Sequence, residues 1–151
     1  MRVAIGSDHA GFEQKERIRT HLAEAGHDVV DLGTMSGEDS VDYPDFALAV
    51  GTAVSRGDAE FGVLVCGTGI GMAITANKVP GVRAANITDP EFARLTRQHN
   101  DANVVTVSGR FVPVEVNERI VDDFLATPFE GGRHGLRVDK ITSAESSNGR
   151  P

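Results

Sequence analysis

The sequence has a single cysteine and no tryptophan in 151 residues, and aromatic residues make up only 5% of it. One cysteine cannot form a disulfide within the chain, which fits a reducing, cytoplasmic setting. No apolar run approaches the roughly 18–20 residues that a membrane-spanning helix needs. No signal-peptide pattern precedes the first predicted strand. These absences favour a cytoplasmic protein that does not act at a membrane.

Positive charge is also scarce, because 15 lysines and arginines face 22 acidic residues and leave a net charge of −7. Without a basic stripe to neutralise phosphates, the chain is not expected to bind nucleic acid. The spacing of its histidines, cysteine and carboxylates does not resemble a metal cage, so we predict no metal.

Short runs rich in valine and isoleucine alternate with segments that suit helices. Strands are predicted over residues 2–6, 27–32, 61–65, 82–87 and 104–108. Helices are predicted over 12–25, 46–55, from the glycines near 70 to about 79, and over 91–99, 112–126 and 133–143. This alternation indicates an α/β fold with a parallel sheet covered on both faces. We expect a single domain over residues 1–145 and a polar C-terminal tail over 146–151.

The carboxyl ends of parallel strands are where such folds bind ligands. Candidate residues follow four of the predicted strands at that edge: Asp8, His9, Cys66 to Gly71, Asp89, Gly109 and Arg110.

The stretch C-G-T-G-I-G from Cys66 to Gly71 is typical of a strand that turns sharply into a helix. Glycines let backbone N–H groups converge on an anion, and the helix dipole adds to the attraction. A thiol at the same place would be favoured as the thiolate. Two plainer interpretations stay open, namely a small buried cysteine and a tight turn without a ligand.

A dinucleotide site is the competing interpretation of these glycines. Their spacing is not GxGxxG and they follow the third strand, although Asp89 lies at about the distance expected of a ribose-binding acid. NAD is therefore a weaker second hypothesis.

Basic residues cluster near the C-terminus, where Arg133 and Arg137 are four apart and share a helix face beside His134. With Arg110 they suit a small phosphorylated substrate, although a solvated basic helix end would look the same. His99, at a predicted helix end, is either a dipole-stabilised residue or an acid or base.

Five motifs in order resemble the type B ribose-5-phosphate isomerases, a family that includes the galactose-6-phosphate isomerase subunits. They are G-S-D-H-A-G-F from Gly6, D-Y-P from Asp42, C-G-T-G-I-G with A-N-K from Cys66 to Lys78, R-Q-H-N-D-x-N from Arg97 and E-G-G-R-H from Glu130. The resemblance extends to about residue 145.

The resemblance implies a Rossmann-like three-layer α/β/α sandwich around a five-stranded parallel sheet. It also implies a homodimer, possibly paired into a tetramer, with an active site shared between subunits. The implied reaction interconverts ribose 5-phosphate and ribulose 5-phosphate through an enediolate, in the non-oxidative pentose phosphate pathway, without a cofactor. Alternatives are another sugar phosphate (allose 6-phosphate, galactose 6-phosphate or a tetrose 4-phosphate) and a non-enzymatic module that binds a nucleotide or phosphate.

The same resemblance implies roles for individual residues. Cys66 would be the base, Thr68 would assist proton transfer and His99 would open the sugar ring. Since some members have a glutamate in place of Met72 and lack the cysteine, this chain resembles the cysteine group. The remaining residues would bind substrate: Gly67, Gly69 and Gly71 the enediolate oxygen; Asp8, His9, Tyr43 and Asn100 sugar oxygens; and Arg110, with Arg133, His134 and Arg137 of the partner subunit, the phosphate.

Overall fold

Five parallel strands form the single sheet of the computed structural model, which describes residues 1–148. The strands are β1 (Arg2–Ser7), β2 (Asp28–Asp31), β3 (Phe61–Cys66), β4 (Ala84–Asn86) and β5 (Val104–Ser108), in the order β2-β1-β3-β5-β4. Register is continuous across the centre, where Ser7 pairs with Val65 and Cys66 pairs with Ser108. The α/β class and the parallel sheet expected from the sequence are confirmed.

Helices connect consecutive strands, and two more follow the last strand. They are α1 (Phe12–Glu24), α2 (Tyr43–Ser55), α3 (Ile70–Ala76), α4 (Pro90–Asn100), α5 (Val114–Ala126) and α6 (Arg133–Asn148), with a 3₁₀ turn at His9–Gly11. None of the helices in this described part of the chain has both the length and the apolar character needed to cross a membrane.

Two apolar cores lie on opposite faces of the sheet and give the molecule three layers. On one face Ile18 of α1 and Phe124 of α5 are fully buried in the same cluster as Val105 of β5. On the other face Val50 of α2 and Met72 of α3 pack in a second cluster. Burying both faces explains why the central strands are almost continuously apolar.

The strand order determines where a crevice opens. The connection through α1 runs from β1 to β2, its neighbour on one side. The connection through α2 then runs from β2 to β3, which is the neighbour of β1 on the other side. Helices α1 and α3 therefore leave the carboxyl ends of the adjacent strands β1 and β3 toward opposite faces, which is where α/β sheets bind ligands. We call the edge at which the strands end the carboxyl edge, and the edge at which they begin the amino edge.

Several predicted boundaries differ from the structure. Helix α2 begins at Tyr43 rather than at residue 46, because Pro44 is accommodated in its first turn. Helix α6 continues to Asn148, five residues beyond the predicted end; the rest of the predicted tail, 149–151, lies outside the described residues.

Strand β4 is half as long as predicted, since only 84–86 of residues 82–87 are in the strand. The side chain of Asn77 accepts a hydrogen bond from Ala84 N at 2.7 Å and donates one to Ala84 O at 2.8 Å. Asn77 thus takes the place of a further strand, and α3 ends one residue before it.

Candidate active site

The carboxyl edge brings together most of the candidates expected there. Asp8 and His9 follow β1, Cys66 ends β3 with the glycine turn behind it, and Arg110 follows β5. The register places Cys66 opposite Ser108 and so beside the loop that carries Arg110.

The glycine turn aims a backbone amide at the cysteine. Cys66 is only 5% exposed, and its Sγ accepts a hydrogen bond from Gly69 N at 3.1 Å. Gly69 caps α3 with φ +81°, and a Cβ there would lie 2.3 Å from Oδ1 of Asn86. Glycine is therefore required here both by conformation and by space. The amide that it positions stabilises negative charge on the sulfur.

The same turn carries further polar groups close to Cys66 in the chain. The first amides of a helix have no acceptor inside it, which leaves the N–H groups of Gly71 and Met72 available. Thr68 Oγ1 accepts a hydrogen bond from Ile70 N at 3.2 Å, and its own hydroxyl proton remains free to donate.

The groups after β1 are held in fixed orientations. Asp8 is buried and accepts a hydrogen bond from Gly11 N at 3.0 Å, which leaves its second oxygen free. His9 Nδ1 accepts from Val41 N at 3.1 Å, so the imidazole proton is on Nε2. The ring of Tyr43 lies against Gly71, where a Cβ would be 2.7 Å from two of its carbons.

Arg110 lies over the glycine turn. Its Nη1 is 3.3 Å from the position that a Cβ on Gly67 would occupy. Two backbone hydrogen bonds join the loop to the turn, from Gly109 N to Cys66 O at 2.8 Å and from Arg110 N to Gly67 O at 3.1 Å. A guanidinium group thus stands beside the predicted anion site.

Three residues that support this loop were not predicted. Ser108 Oγ donates to Gly67 O at 2.8 Å, and the fully buried Asn117 donates to Ser108 O at 2.8 Å and to Gln14 Oε1 at 2.6 Å. Gln14 in turn donates to Gly109 O and Val112 O. An asparagine inside an amphipathic helix pattern, at a buried position, was the available signal.

The other candidates lie together at the amino edge. His99 and Asn100 end α4, which runs from the carboxyl edge back to the start of β5. The rings of His99 and His134 are stacked, with centroids 4.3 Å apart and planes inclined by 12°. His134 Nε2 is 3.5 Å from Oε2 of Glu130. Arg133 and Arg137 lie exposed on α6, one residue before His134 and three residues after it.

Burial lowers the pKa of His134 below its usual 6.5, and the neighbouring His99 and Arg133 lower it further. His134 is 6% exposed. Its imidazole is therefore mostly neutral at neutral pH, so it can offer a hydrogen bond to a phosphate but little charge.

The end of α4 is fixed by a charged clamp. Asp101 has φ +46°. Its carboxylate accepts hydrogen bonds from Arg97 Nη1 at 2.7 Å and from Arg83 Nη2 at 3.0 Å. Arg83 Nε also donates to the carbonyl oxygens of Asn100 and Asp101. This clamp orients the helix end that carries His99 and Asn100.

Within one chain the predicted site is thus divided in two. Strand β5 is about 13 Å long by the usual rise per residue. Cys66 lies beside its end, and α4 leads into its start, so this length separates the two groups of residues. Cys66 and Arg110 belong to the carboxyl edge, whereas His99, Asn100, Arg133, His134 and Arg137 belong to the amino edge. Within one chain, Arg110 therefore lies apart from Arg133 and Arg137, and their joint binding of a phosphate stays a prediction that involves a partner subunit.

Asp89, considered for a dinucleotide ribose, is the N-cap of α4 and accepts a hydrogen bond from Glu91 N at 2.8 Å. Its oxygen stabilises the helix start, which accounts for its position after β4.

The parallel sheet, the buried cysteine in a glycine turn and the arginine beside it define a candidate site for a small anionic ligand. Comparisons with known proteins identify the family to which this site belongs. A model of the Ribose/Galactose Isomerase family matches residues 3–141. The chain belongs to this family, and it is an isomerase.

Individual relatives are similar over almost their whole length. Ribose-5-phosphate isomerase B of Escherichia coli K12 is 46% identical over 144 residues, 95% of this chain and 96% of that protein. The structure of Clostridium thermocellum ribose-5-phosphate isomerase B has a TM-score of 0.95 at 47% identity, covering 97% of this chain and 99% of that one. The Mycoplasma genitalium ribose-5-phosphate isomerase B, solved with bound ribulose-5-phosphate, has a TM-score of 0.93 at 46% identity and covers 97% of both chains.

Proposed function

We propose that this enzyme interconverts ribose 5-phosphate and ribulose 5-phosphate, with Cys66 as the base. The observation that carries the proposal is the buried Cys66 sulfur with an amide directed at it inside a glycine turn. The bound ribulose-5-phosphate of the Mycoplasma genitalium relative supports the choice of a five-carbon sugar phosphate.

The chemistry needs one proton to move between adjacent carbons. The Cys66 thiolate removes the proton from the carbon next to the carbonyl, and the electron pair moves to the carbonyl oxygen to form an enediolate. The thiol then returns the proton to the neighbouring carbon. Thr68, whose hydroxyl proton is free, assists transfer between the two oxygens. No atom is gained or lost, so the reaction consumes no co-reactant.

The glycine turn stabilises the anion formed in this step. The N–H of Gly69 serves the sulfur, so the amides of Gly71 and Met72 are the donors left for the enediolate oxygen. Removing one oxyanion donor costs other enzymes about 2.7–4 kcal/mol of barrier. Gly67 keeps the turn open for the Arg110 side chain, because any side chain there would meet the guanidinium.

A second copy of the chain supplies the other half of the site in this proposal. The amino-edge group contains a histidine suited to opening the sugar ring, His99, and two exposed guanidiniums suited to a phosphate, Arg133 and Arg137. In a homodimer this group of one subunit faces the carboxyl edge of the other. Asp8, His9, Tyr43 and the partner's Asn100 then contact sugar oxygens, and the partner's neutral His134 accompanies its arginines. A pair of such dimers forming a tetramer is compatible with this arrangement.

Cys66 must remain a free thiol to act as a base. We therefore place the enzyme in a reducing compartment, the cytoplasm, as a step of the pentose phosphate pathway.

A direct assay tests the proposal. Purified enzyme is mixed with ribose 5-phosphate, allose 6-phosphate or erythrose 4-phosphate, and formation of each ketose is followed. We expect the highest kcat/KM for ribose 5-phosphate. A higher value for either other sugar would reassign the substrate, and turnover of none of them would reject the proposal.

A further inference from the structure

Three possible metal ligands come together at the amino edge. One ligand atom each from His99, Glu130 and His134 lies within 4.8 Å of the other two. The distance between His134 Nε2 and Glu130 Oε2 is 3.5 Å. Around a tetrahedral zinc ion, bonds of about 2.0–2.1 Å place neighbouring ligand atoms about 3.3 Å apart. One side of the triangle therefore has the right length already, and side-chain rotation of the half-buried His99 and exposed Glu130 would adjust the others.

The two imidazoles have lone pairs to offer. Within residues 1–148 neither the His99 ring nor the His134 ring makes a hydrogen bond, and the Glu130 carboxylate has only the ion-pair contact with His134. A neutral imidazole whose nitrogen has no hydrogen-bond partner is the form that binds metals.

The backbone holds the three residues in this arrangement. Glu130 N donates to Gln98 O at 3.2 Å, which ties the loop before α6 to the last turn of α4. Gly131 and Gly132 follow with φ of +67° and +56° and turn the chain so that His134 comes back over His99. The cluster is thus determined by tertiary structure, not by a sequence motif.

We propose that His99, Glu130 and His134 form a site for a divalent cation of the zinc type, and that filling it inhibits the isomerase. Two imidazoles and one carboxylate suit Zn²⁺ and not Mg²⁺, which prefers oxygen ligands. The inhibitory part depends on the proposed function, because a His99 nitrogen bound to zinc cannot exchange a proton with the sugar ring. Arg133 and Arg137 oppose a cation nearby, so the site gives reversible binding that a chelator removes.

Calorimetric titration of EDTA-treated enzyme with ZnCl₂ tests the site without reference to activity. We expect one Zn²⁺ per chain, and affinity at least about tenfold lower in Glu130→Gln, since even an indirect partner of a metal ligand is worth about 10–100-fold. His134→Gln should behave like Glu130→Gln. Two controls should bind as the wild type does: Glu24→Gln, at an exposed helix end, and Cys66→Ser, because Cys66 is the other residue that could hold zinc.

Turnover of ribose 5-phosphate tests the inhibition. Zn²⁺ should lower the rate, equimolar Mg²⁺ should not, and EDTA should restore it. Without zinc, Glu130→Gln should turn over ribose 5-phosphate at the wild-type rate. Its inhibition should require a zinc concentration at least about tenfold higher. No zinc binding, or binding lost in Cys66→Ser and kept in Glu130→Gln, would overturn the site whether or not the enzyme turns over the sugar. Zinc binding by an enzyme that does not turn over ribose 5-phosphate would instead reject the proposed function and keep the site.

Discussion

The amide of Gly69 donates a hydrogen bond to the sulfur of Cys66 over 3.1 Å. The donor and the acceptor belong to the same six-residue stretch, yet the bond exists only because Gly69 has a positive φ and α3 begins directly after it. The proposed base and the amide that would stabilise its charge are thereby built from one turn.

Replacing Cys66 with alanine should stop isomerisation and leave binding measurable. The substitution removes the proposed base, and a positioned acid or base contributes a factor of about 10²–10⁴. kcat should fall by at least this much, while ribose 5-phosphate should still bind in calorimetry. An active Cys66→Ala enzyme would show that the proton moves by another route.

Gly69→Ala should damage both the fold and the rate. A left-handed conformation costs an alanine about 1–2 kcal/mol, and its Cβ would additionally meet the Asn86 side chain and the Val107 backbone. Gly26→Ala is a matched control, because φ there is +90° and no atom lies within 4 Å of the added Cβ. Urea denaturation should show the larger loss for Gly69→Ala, and kcat should fall in that variant alone. Equal losses of unfolding free energy in the two variants would mean that the neighbours of Gly69 do not exclude a larger residue.

Arg137→Ala should weaken the hold on the phosphate. A hydrogen bond to a charged group contributes about 1.5–3 kcal/mol, so KM for ribose 5-phosphate should rise about tenfold or more. Lys140→Ala removes another exposed positive charge from the same helix and is the control. An unchanged KM in Arg137→Ala would reject its role in binding.

Lys15→Met should destabilise the enzyme strongly. Lys15 has no exposed surface, and its Nζ lies 2.5 Å from Asp31 and 2.9 Å from Glu16. Removing one member of a fully buried ion pair costs about 3–5 kcal/mol. The loss here should lie near or below the lower end of that range, because both acids are partly exposed and still contact Arg19. Arg19→Met, which removes a more exposed cation that contacts the same acids, should cost less. Free energies of unfolding from urea denaturation compare the two, and a loss from Lys15→Met no greater than from Arg19→Met would contradict the expectation.

Glu16 should make stability depend on pH in acid. Its hydrogen bond with Arg19, together with Lys15 and against the opposing effect of burial, lowers its pKa from 4.5 to about 2. Since the pKa is lower in the folded state, the stabilisation is complete above pH 4.5 and is lost as the pH falls toward about 2. The difference in unfolding free energy between wild type and Glu16→Gln should shrink over that range. Glu24→Gln removes a carboxylate from the exposed end of the same helix and is the matched control.

The carboxyl-edge half of the site was predictable because its features are local. Cys66 and its glycines are contiguous in the chain, and the rule that parallel strands bind ligands at their carboxyl ends adds Asp8, His9 and Arg110. The amino-edge half was harder to predict. His99 and Glu130 are far apart in sequence, and only the return of α6 onto α4 brings His134 over His99. Spacing alone therefore suggested no metal cage.

Buried polar residues inside helices were the other limit. Lys15 and Asn117 fall on the apolar faces of α1 and α5, but the sequence does not show which groups they contact until the packing of these helices is known. Nor does the sequence indicate that the Asn77 side chain, which comes from the end of α3, pairs with the backbone of Ala84 in β4.

The separation of Cys66 from His99 on one chain has a genetic consequence if sites form between subunits. A mixed dimer of a Cys66→Ala chain and a His99→Asn chain contains one site with both residues intact, so two inactive alleles would complement each other. A chain that carries both substitutions would spoil both sites of any dimer that it joins. Expressed beside the wild type, the doubly substituted allele would be dominant, whereas either single substitution would be recessive.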